Sequence, residues 1–562
     1  MSSVSSVVNV RDQRIIFALA THVSLRQLSL FILIASLNLT LEAQQPVFRS
    51  GVKLVETTVV VHDRSDKPVA DLTASDFRIF EDGKEQKIEF FAVDGAPSAD
   101  KSVRSFPLPA NVFTNRIEQR TGGGVTVILF DRLNSTFDDQ KRARDQILNY
   151  LAKLQPGDRV ALYVLESDAI TVLHDFTSDT ARLIAAAKKY AGTTSIELDR
   201  SQEEKQSMPS TGLADVDAET DAWLQHTMEV VQEAYLRRRV QLTTDAIEGI
   251  ANHLAGTPGR KNLIWVSGAF PFVIPDPLMG PQVMSQPVNR ATRAVNAADI
   301  AIYPVDIRGL MGAFVNPATV SATTERSARP ISGQQAGQQF TSLATVAPSQ
   351  DTMRDFAAKT GGRVFVNTNA IGDAVRRAMD DSRIAYVLGY YAPRTDDKFH
   401  EINVKVNRGG LDVRHRKGYL ALSPPKPADA KTRLTALDRI MQSPVAASSV
   451  ELMAQVDLST TDEASVRIRI HPDSLTWVQQ KDVREGAIDI VIAQSEPDGK
   501  YYKVKETTVN LSADAERYQA MQAEGFTLSS TVKLRPAAYR LHVIVSDVAS
   551  QAVGSLIIPL SR

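Results

Sequence analysis

The sequence predicts a multidomain α/β protein whose central domain contains a mostly parallel sheet. Between residues 122 and 391, strand-like runs alternate with helical runs, which is typical of βαβ units. Several of these strands, such as Val125–Phe130, are largely apolar, as expected for parallel strands buried on both faces. Shorter alternating strands on either side indicate an N-terminal β unit and a C-terminal β-sandwich. The 562 residues suffice for roughly three to four domains.

The composition excludes several classes of function. A net charge of -1 provides no general attraction to nucleic acid or to an anionic membrane. The chain has 0 cysteines, so disulfides, thiol nucleophiles, iron–sulfur clusters and cysteine-based zinc sites are ruled out. Hydrophobic residues make up 43% of the chain and charged residues 23%, which is ordinary for globular domains.

The N-terminus resembles an export signal over residues 1–43. Arg11, Arg14 and Arg26 precede the apolar run Leu28–Leu41, and the small residue Ala43 follows. The run has the length of a signal-peptide core and is shorter than the roughly 20 residues of a membrane-spanning helix. We expect export with cleavage near Ala43 to the periplasm, the cell surface or the medium. The alternative is an uncleaved anchor, which would be the chain's contact with a membrane.

The first β unit is predicted over residues 52–94. It contains the β-branched run Leu54–Val61, the strand Phe77–Phe80 with a turn directly after it, and the strand Ile88–Val93. A unit of this size is barely stable by itself, so we expect it to pack against the next domain. Residues 95–121 contain proline and serine and are predicted to be a linker.

The central domain is predicted over residues 122–424. Its expected strands are Val125–Phe130, Arg159–Leu165, Ala169–Leu173, Asn262–Val266 and Ala298–Ile307. Its expected helices are Asp138–Leu154, Thr180–Tyr190, Met228–Leu254 and Asp351–Thr360. Two polar insertions, residues 197–221 and 309–350, are expected to be loops that either are flexible or border a binding surface. Strands Arg383–Tyr390 and Glu401–Val406, with a hairpin completed by Asp412–Tyr419, are expected to end the domain.

The last module is predicted over residues 449–562. Residues 425–448 form a proline-containing linker with a short helix at Leu434–Met441. Alternating strands, including Ser465–Ile470, Ala487–Ile492 and Tyr539–Val545, then favour an immunoglobulin-like β-sandwich.

Five short segments, taken in order, resemble a known family. They are residues 76–83 (DFRIFEDG), 129–135 (LFDRLNS), 356–362 (FAAKTGG), 386–393 (YVLGYYAP) and 416–419 (RKGY). Together they are similar to the exported, von Willebrand factor A-related proteins known mainly from acidobacteria, over residues 47–424. The resemblance implies a doubly wound sheet flanked by helices.

The resemblance also implies a cation site at the carboxyl end of the first central strand. That family binds Mg²⁺ or Mn²⁺ through Asp-x-Ser-x-Ser, a later threonine and an aspartate after the fourth strand. Asp131 and Ser135 match this pattern, and the later threonine would be Thr193 or Thr194. Leu133 replaces a serine, and Ser267 stands where Ser-Asp-Gly would begin and is followed by glycine, so two ligands are missing. A cation site and a metal-free loop both remain open.

Three neighbouring positions are candidate contacts for a partner. Asn134 lies in the same loop, Thr194 follows the candidate threonine, and Ser267 ends the fourth strand. Ligand sites in open α/β sheets gather at this edge. The basic run Arg237–Arg239 is interpreted as the solvated face of a polar helix, not as a nucleic-acid patch.

The hypothesis is therefore an exported, non-enzymatic protein that binds another protein or a surface polymer. The chain contains no His-Glu-x-x-His, P-loop or Gly-x-Gly-x-x-Gly motif, which removes the common metalloprotease and nucleotide signals. The alternative is a scaffold for envelope assembly or secretion that needs no ligand site. The residues do not identify the partner, the process or the oligomeric state.

Overall fold

A computed structural model describes residues 53–94, 109, 111–116, 124–309, 350–421 and 429–560. Gaps inside these spans cover residues 156, 168, 191, 202–213, 258, 271–272, 275–281, 284, 393–395, 397, 459 and 461. The predicted export signal and residues 310–349 of the second insertion lie outside the described residues. Within those spans, no helix combines the length and apolarity that a membrane crossing requires.

The central sheet has five strands. In spatial order they are Ile300–Asp306, Lys261–Ser267, Val125–Asp131, Arg159–Leu165 and Ile170–Thr177. The first four run parallel, and the last is antiparallel to its neighbour. Each lies within a few residues of a predicted strand, except that Ile170–Thr177 extends further. Every residue of Val125–Asp131 is buried, which explains its largely apolar sequence.

Helices cover both faces of this sheet. Alternate side chains of Val125–Asp131 enter two separate apolar cores, because successive side chains of a strand point to opposite faces. The helices on the Val127 side are Ala214–Leu254, Ser285–Ala297 and 350–360. The helices on the Ile128 side are Phe137–Leu151, Thr180–Lys189 and Ile371–Asp380.

The helix Ala214–Leu254, called here the long helix, corrects the sequence prediction. We expected a helix from Met228 and a loop over residues 197–221, but the helix begins at Ala214, and Ile196–Ser201 forms a short helix of its own. Residues 214–227 are acidic and polar, which suggested a loop. They contain neither glycine nor proline and include three alanines, so nothing in the backbone propensity prevents a helix despite the polarity.

The N-terminal β unit is completed by strands from the far side of the central domain. One antiparallel sheet consists of Asp412–His415, Lys53–His62, Ala385–Ala392 and Phe90–Asp94. The other consists of Gly418–Leu420, Phe399–Val406, Phe77–Glu81 and Lys84–Gln86. The two sheets share one apolar core. We call this two-part structure the composite β unit.

This pairing confirms the later part of the predicted hairpin and corrects its earlier part. The segment Asp412–Tyr419 does not fold back as one strand, because Asp412–His415 pairs with the strand Lys53–His62, whereas Gly418–Leu420 pairs with Phe399–Val406. The physical reason is size: about 40 residues bury too little apolar surface to be stable alone. Strands from the later segment supply the missing partners.

Two antiparallel sheets with a common core form the C-terminal region. One consists of Phe526–Lys533, Glu463–Ile470, Leu452–Leu458 and Val112–Thr114. The other consists of Val478–Gln480, Val483–Ser495, Arg540–Asp547 and Val553–Pro559, with Tyr501–Ala513 also paired to Val483–Ser495. The predicted linker 95–121 thus supplies an edge strand, Val112–Thr114. The remaining short elements are the helices Ala430–Ala436, Asp438–Gln442 and Ala515–Glu524 and the paired strands Val273–Ile274 and Gln282–Val283.

Candidate functional site

The candidate site lies at the carboxyl end of the first central strand. Asp131 is the last residue of that strand, and a short loop leads from it to the helix Phe137–Leu151. Thr136 caps this helix by accepting a hydrogen bond from the backbone N–H of Asp139. Within the loop, Asp131, Asn134 and Ser135 are all buried. The sequence therefore predicted the position of the loop correctly, but its polar groups face the protein interior.

Protein donors engage both carboxylate oxygens of Asp131. Oδ1 accepts hydrogen bonds from the backbone N–H of Asn134 at 2.9 Å and from its Nδ2 at 3.1 Å. Oδ2 accepts from Asn134 Nδ2 at 2.9 Å, from Trp265 Nε1 at 2.9 Å and from Ser267 Oγ at 2.8 Å. Burial raises the pKa of Asp131, and the hydrogen bonds from Asn134, Ser267 and Trp265 oppose that shift. The carboxylate is consequently held by side chains of its own chain.

Leu133, which occupies a serine position of the related motif, is a core residue. Its side chain is 0% exposed and belongs to the apolar core that contains Val240 of the long helix. The carbonyl of Leu133 accepts a hydrogen bond from Ser195 Oγ at 2.8 Å. This position therefore contributes packing, and its side chain offers no oxygen to a cation.

Gln140 connects the Asp131 loop with the loop that contains Thr193. The side-chain amide of Gln140 donates to the carbonyls of Ser135 at 2.8 Å and Thr193 at 2.9 Å, and its Oε1 accepts from the backbone N–H of Thr193 at 3.1 Å. Ser135 Oγ accepts from the backbone N–H of Gly268 at 2.9 Å. The structure thus brings Ser135 and Thr193 to one place through a buried glutamine that the sequence analysis missed. No motif marked it.

The candidate partner contacts differ in accessibility. Thr193 and Thr194 are exposed. Asn134 and Ser267 are 1% and 0% exposed, so both face the protein interior, and their role as partner contacts stays a prediction. Their hydrogen-bonding groups serve Asp131 instead.

A buried arginine from the long helix completes the site. Arg239 is 2% exposed, and its Nε donates to Asn134 Oδ1 at 3.1 Å. Burial lowers the pKa of Arg239 to about 10, and the charges of Asp131 and Glu197 oppose that shift, so the guanidinium is protonated at neutral pH. The interpretation of Arg237–Arg239 as one solvated face is therefore wrong at Arg239, although Arg237 and Arg238 are exposed.

These residues do not fit a divalent cation. Mg²⁺ and Mn²⁺ require several oxygen ligands arranged around the ion. The two oxygens of Asp131 already accept five donor contacts, Leu133 is in the core, and a guanidinium lies beside Asn134. A cation at Asp131 would have to displace the amide of Asn134 and the indole N–H of Trp265.

A second polar cluster lies in the composite β unit. Among the described residues, Glu81, Asp82 and His400 bring potential ligand atoms within 4.8 Å of one another. However, His400 Nδ1 lies 2.7 Å from Asp82 Oδ2, and its Nε2 lies 2.9 Å from Asp396 Oδ1. These carboxylates raise the pKa of His400. Because both ring nitrogens contact carboxylates, the cluster is better described as an ion-paired histidine than as a metal site.

Comparison with known proteins yields weak structural likenesses. No protein-family model matches the chain, and no curated protein does either. One similar solved structure is the SpRpn10 VWA domain, with a TM-score of 0.19 and 11% identity over 45% of this chain and 95% of that one. Another is a von Willebrand factor type A protein from Catenulispora acidiphila, with a TM-score of 0.22 and 10% identity over 84% and 74% of the two chains. At these scores neither structure establishes a relationship.

Proposed function

We propose that this chain is an exported, non-enzymatic interaction protein of the von Willebrand factor A-related type that binds its partner without a metal ion. One observation carries the proposal: the Asp131 carboxylate, which would anchor a cation, is saturated by Asn134, Trp265 and Ser267. In addition, Arg239 places a positive charge beside the site from within the chain. The partner is another protein or a surface polymer.

The order of the central strands supports the fold part of this proposal. Four parallel strands, one antiparallel edge strand and helices on both faces are what a doubly wound domain of this type requires. Thr193 and Thr194 are exposed next to the closed loop and are the proposed partner contacts there.

The runner-up function, a structural scaffold without a ligand site, has its own support. The C-terminal β region is fastened to the end of the long helix by hydrogen bonds. Ser448 N–H donates to the Asn252 carbonyl at 2.9 Å, Ser448 Oγ donates to the His253 carbonyl at 2.6 Å, and Gly256 N–H donates to Ser448 Oγ at 2.9 Å. Buried hydrogen bonds of this kind hold modules in a fixed relative position, which a scaffold needs.

Calorimetric titration tests the metal-free proposal. Mg²⁺ and Mn²⁺ titrated into the full chain should give only the heat of dilution, and Asp131→Asn should behave identically. Micromolar binding that disappears in Asp131→Asn would overturn the proposal. A pull-down from envelope extract, in EDTA and in Mg²⁺, should recover the same partner. Failure to recover any partner would favour the scaffold.

A further inference from the structure

Among the residues whose side chains the structure describes, the long helix has no buried position before Arg239. The helix has 41 residues, and at about 1.5 Å per residue it is roughly 60 Å long. None of the residues 220–238 is buried, whereas Arg239, Val240 and Thr243 are, and buried positions recur from there to Leu254. Because most helical stability in proteins comes from packing an apolar face, exposed apolar side chains along a segment of this length are a candidate interaction surface.

An apolar stripe runs along residues 220–234 of this helix. Thr220, Trp223, Thr227, Val230 and Ala234 follow one another at spacings of four and three residues and therefore share one side of the helix. Trp223 is 67% exposed and Val230 is 54% exposed. Thr227 Oγ1 donates to the Trp223 carbonyl at 2.9 Å, so its hydroxyl is bonded within the helix. Leu224 and Val231 flank the stripe and widen it.

We propose that this stripe binds the same stripe of a second copy of the chain, with the two helices antiparallel. The inference rests on the proposed interaction function and names one partner for it. Large and small residues alternate along the stripe. Antiparallel pairing sets Trp223 of each copy against Ala234 of the other and Val230 against Thr227, so that each large side chain meets a small one. Parallel pairing in register would set Trp223 against Trp223 and Ala234 against Ala234.

The charges of this segment favour the same orientation. Residues 220–235 carry three acidic side chains and neither lysine nor arginine, whereas Arg237 and Arg238 are exposed and Arg239 is buried beside Asn134. The antiparallel register sets His226 opposite Glu233 and brings Thr220, with its neighbour Asp221, level with Arg237. A parallel pair would place Arg237 beside Arg237 and repel.

Light scattering and sedimentation equilibrium of the full chain test the association. We expect a dimer whose Kd rises at least tenfold in Val230→Glu. Val478→Glu is the matched control, because Val478 is also 54% exposed but lies on a strand of the C-terminal region. The control should leave the Kd unchanged. A monomer at tens of micromolar, or equal effects of the two variants, would overturn the proposal.

Cross-linking tests the orientation of the two helices. Because the native chain contains no cysteine, only the introduced cysteines can form disulfides. Under mild oxidation, Thr220→Cys alone and Arg237→Cys alone should stay uncross-linked, whereas their mixture should form a disulfide-linked dimer. Cross-linking of each variant alone would show parallel pairing and contradict the proposal. A monomeric chain that still binds a partner without metal would sink this inference and leave the proposed function intact. A dimer that binds Mg²⁺ through Asp131 would overturn the metal-free proposed function and leave this inference intact.

Discussion

Arg239 Nε lies 3.1 Å from Asn134 Oδ1, although the two residues are 105 positions apart in the sequence. Asn134 in turn donates from Nδ2 to Asp131 Oδ2 at 2.9 Å and to Thr243 Oγ1 at 2.9 Å. Asn134 therefore connects a buried carboxylate with a buried guanidinium and with the long helix. The positive charge near Asp131 comes from the chain itself, and the loop is fixed to the helix that packs over it.

Replacing Asp131 by asparagine should destabilise the protein by about 3 kcal/mol. The substitution removes the buried negative charge near Arg239 and turns an amide N–H₂ toward donors on Asn134, Trp265 or Ser267. The free energy of unfolding from urea denaturation measures the effect. Asp138→Asn, on an exposed carboxylate in the next helix, is the control and should cost about 0.5 kcal/mol. Equal effects at both positions would contradict the structure.

Replacing Arg239 by methionine should cost about 2 kcal/mol or more. Methionine retains apolar volume but leaves Asn134 Oδ1 without its donor and Asp131 without its positive neighbour. Arg182→Met is the control, since Arg182 is 73% exposed and pairs with Asp179 at the surface. That control should change the free energy of unfolding by less than about 0.5 kcal/mol. If Arg239→Met changed the free energy of unfolding as little as the control does, Arg239 would not stabilise the Asp131 loop.

The sequence predicted where the Asp131 loop lies but not that its polar groups are buried and hydrogen-bonded within the chain. A buried apolar strand ending in aspartate is a local pattern, and the deviation at Leu133 was visible in the sequence as well. Whether Asp131 faces solvent or protein depends on Trp265, Asn134 and Arg239 meeting in space, which no local pattern encodes. Sequence reasoning therefore left the cation site open, and the hydrogen bonds to Asp131 support the proposed metal-free loop.

The composite β unit shows the same limit for the fold. The strands Lys53–His62 and Ala385–Ala392 each have recognisable β patterns, and both were expected. Their pairing joins segments more than 300 residues apart, and strand patterns specify which face is buried but not which strand is the neighbour. The long helix was underestimated for a different reason, because the acidic and polar composition of residues 214–227 suggested a loop.

Restoring the serine of the family motif should not restore metal binding. Leu133→Ser leaves a cavity and an unpaired hydroxyl in the core, so we expect a loss of about 3 kcal/mol in the free energy of unfolding. Mg²⁺ affinity should stay undetectable by calorimetry, because the oxygens of Asp131 remain engaged. Leu458→Ser, at a side chain that is 43% exposed, is the control and should cost far less. Micromolar Mg²⁺ binding by Leu133→Ser would show that Leu133 alone closes the site.

His400 should make stability depend on pH in the neutral range. Hydrogen bonds from His400 to Asp396 and then to Asp82 raise its pKa in the folded protein, and the contact with His400 lowers the pKa of Asp396. The stabilisation from His400 is therefore complete below its unfolded pKa of about 6.5 and is lost as the pH rises through the higher folded value. The contribution of Asp396 is instead lost as the pH falls through its lowered folded value.

The matched variant for this prediction is His400→Gln. Four other histidines have lowered pKa values and shift stability in the opposite direction, namely His62, His253, His415 and His542. Because both proteins contain these four, their effects cancel when the native chain is compared with His400→Gln. Between pH 6.5 and 8.5 the native chain should lose unfolding free energy relative to His400→Gln. One proton limits this difference to about 1.4 kcal/mol per pH unit. Asp396→Asn removes the larger cause of the shift and should reduce the difference. Parallel pH profiles for the native chain and His400→Gln would refute the ion-paired description of His400.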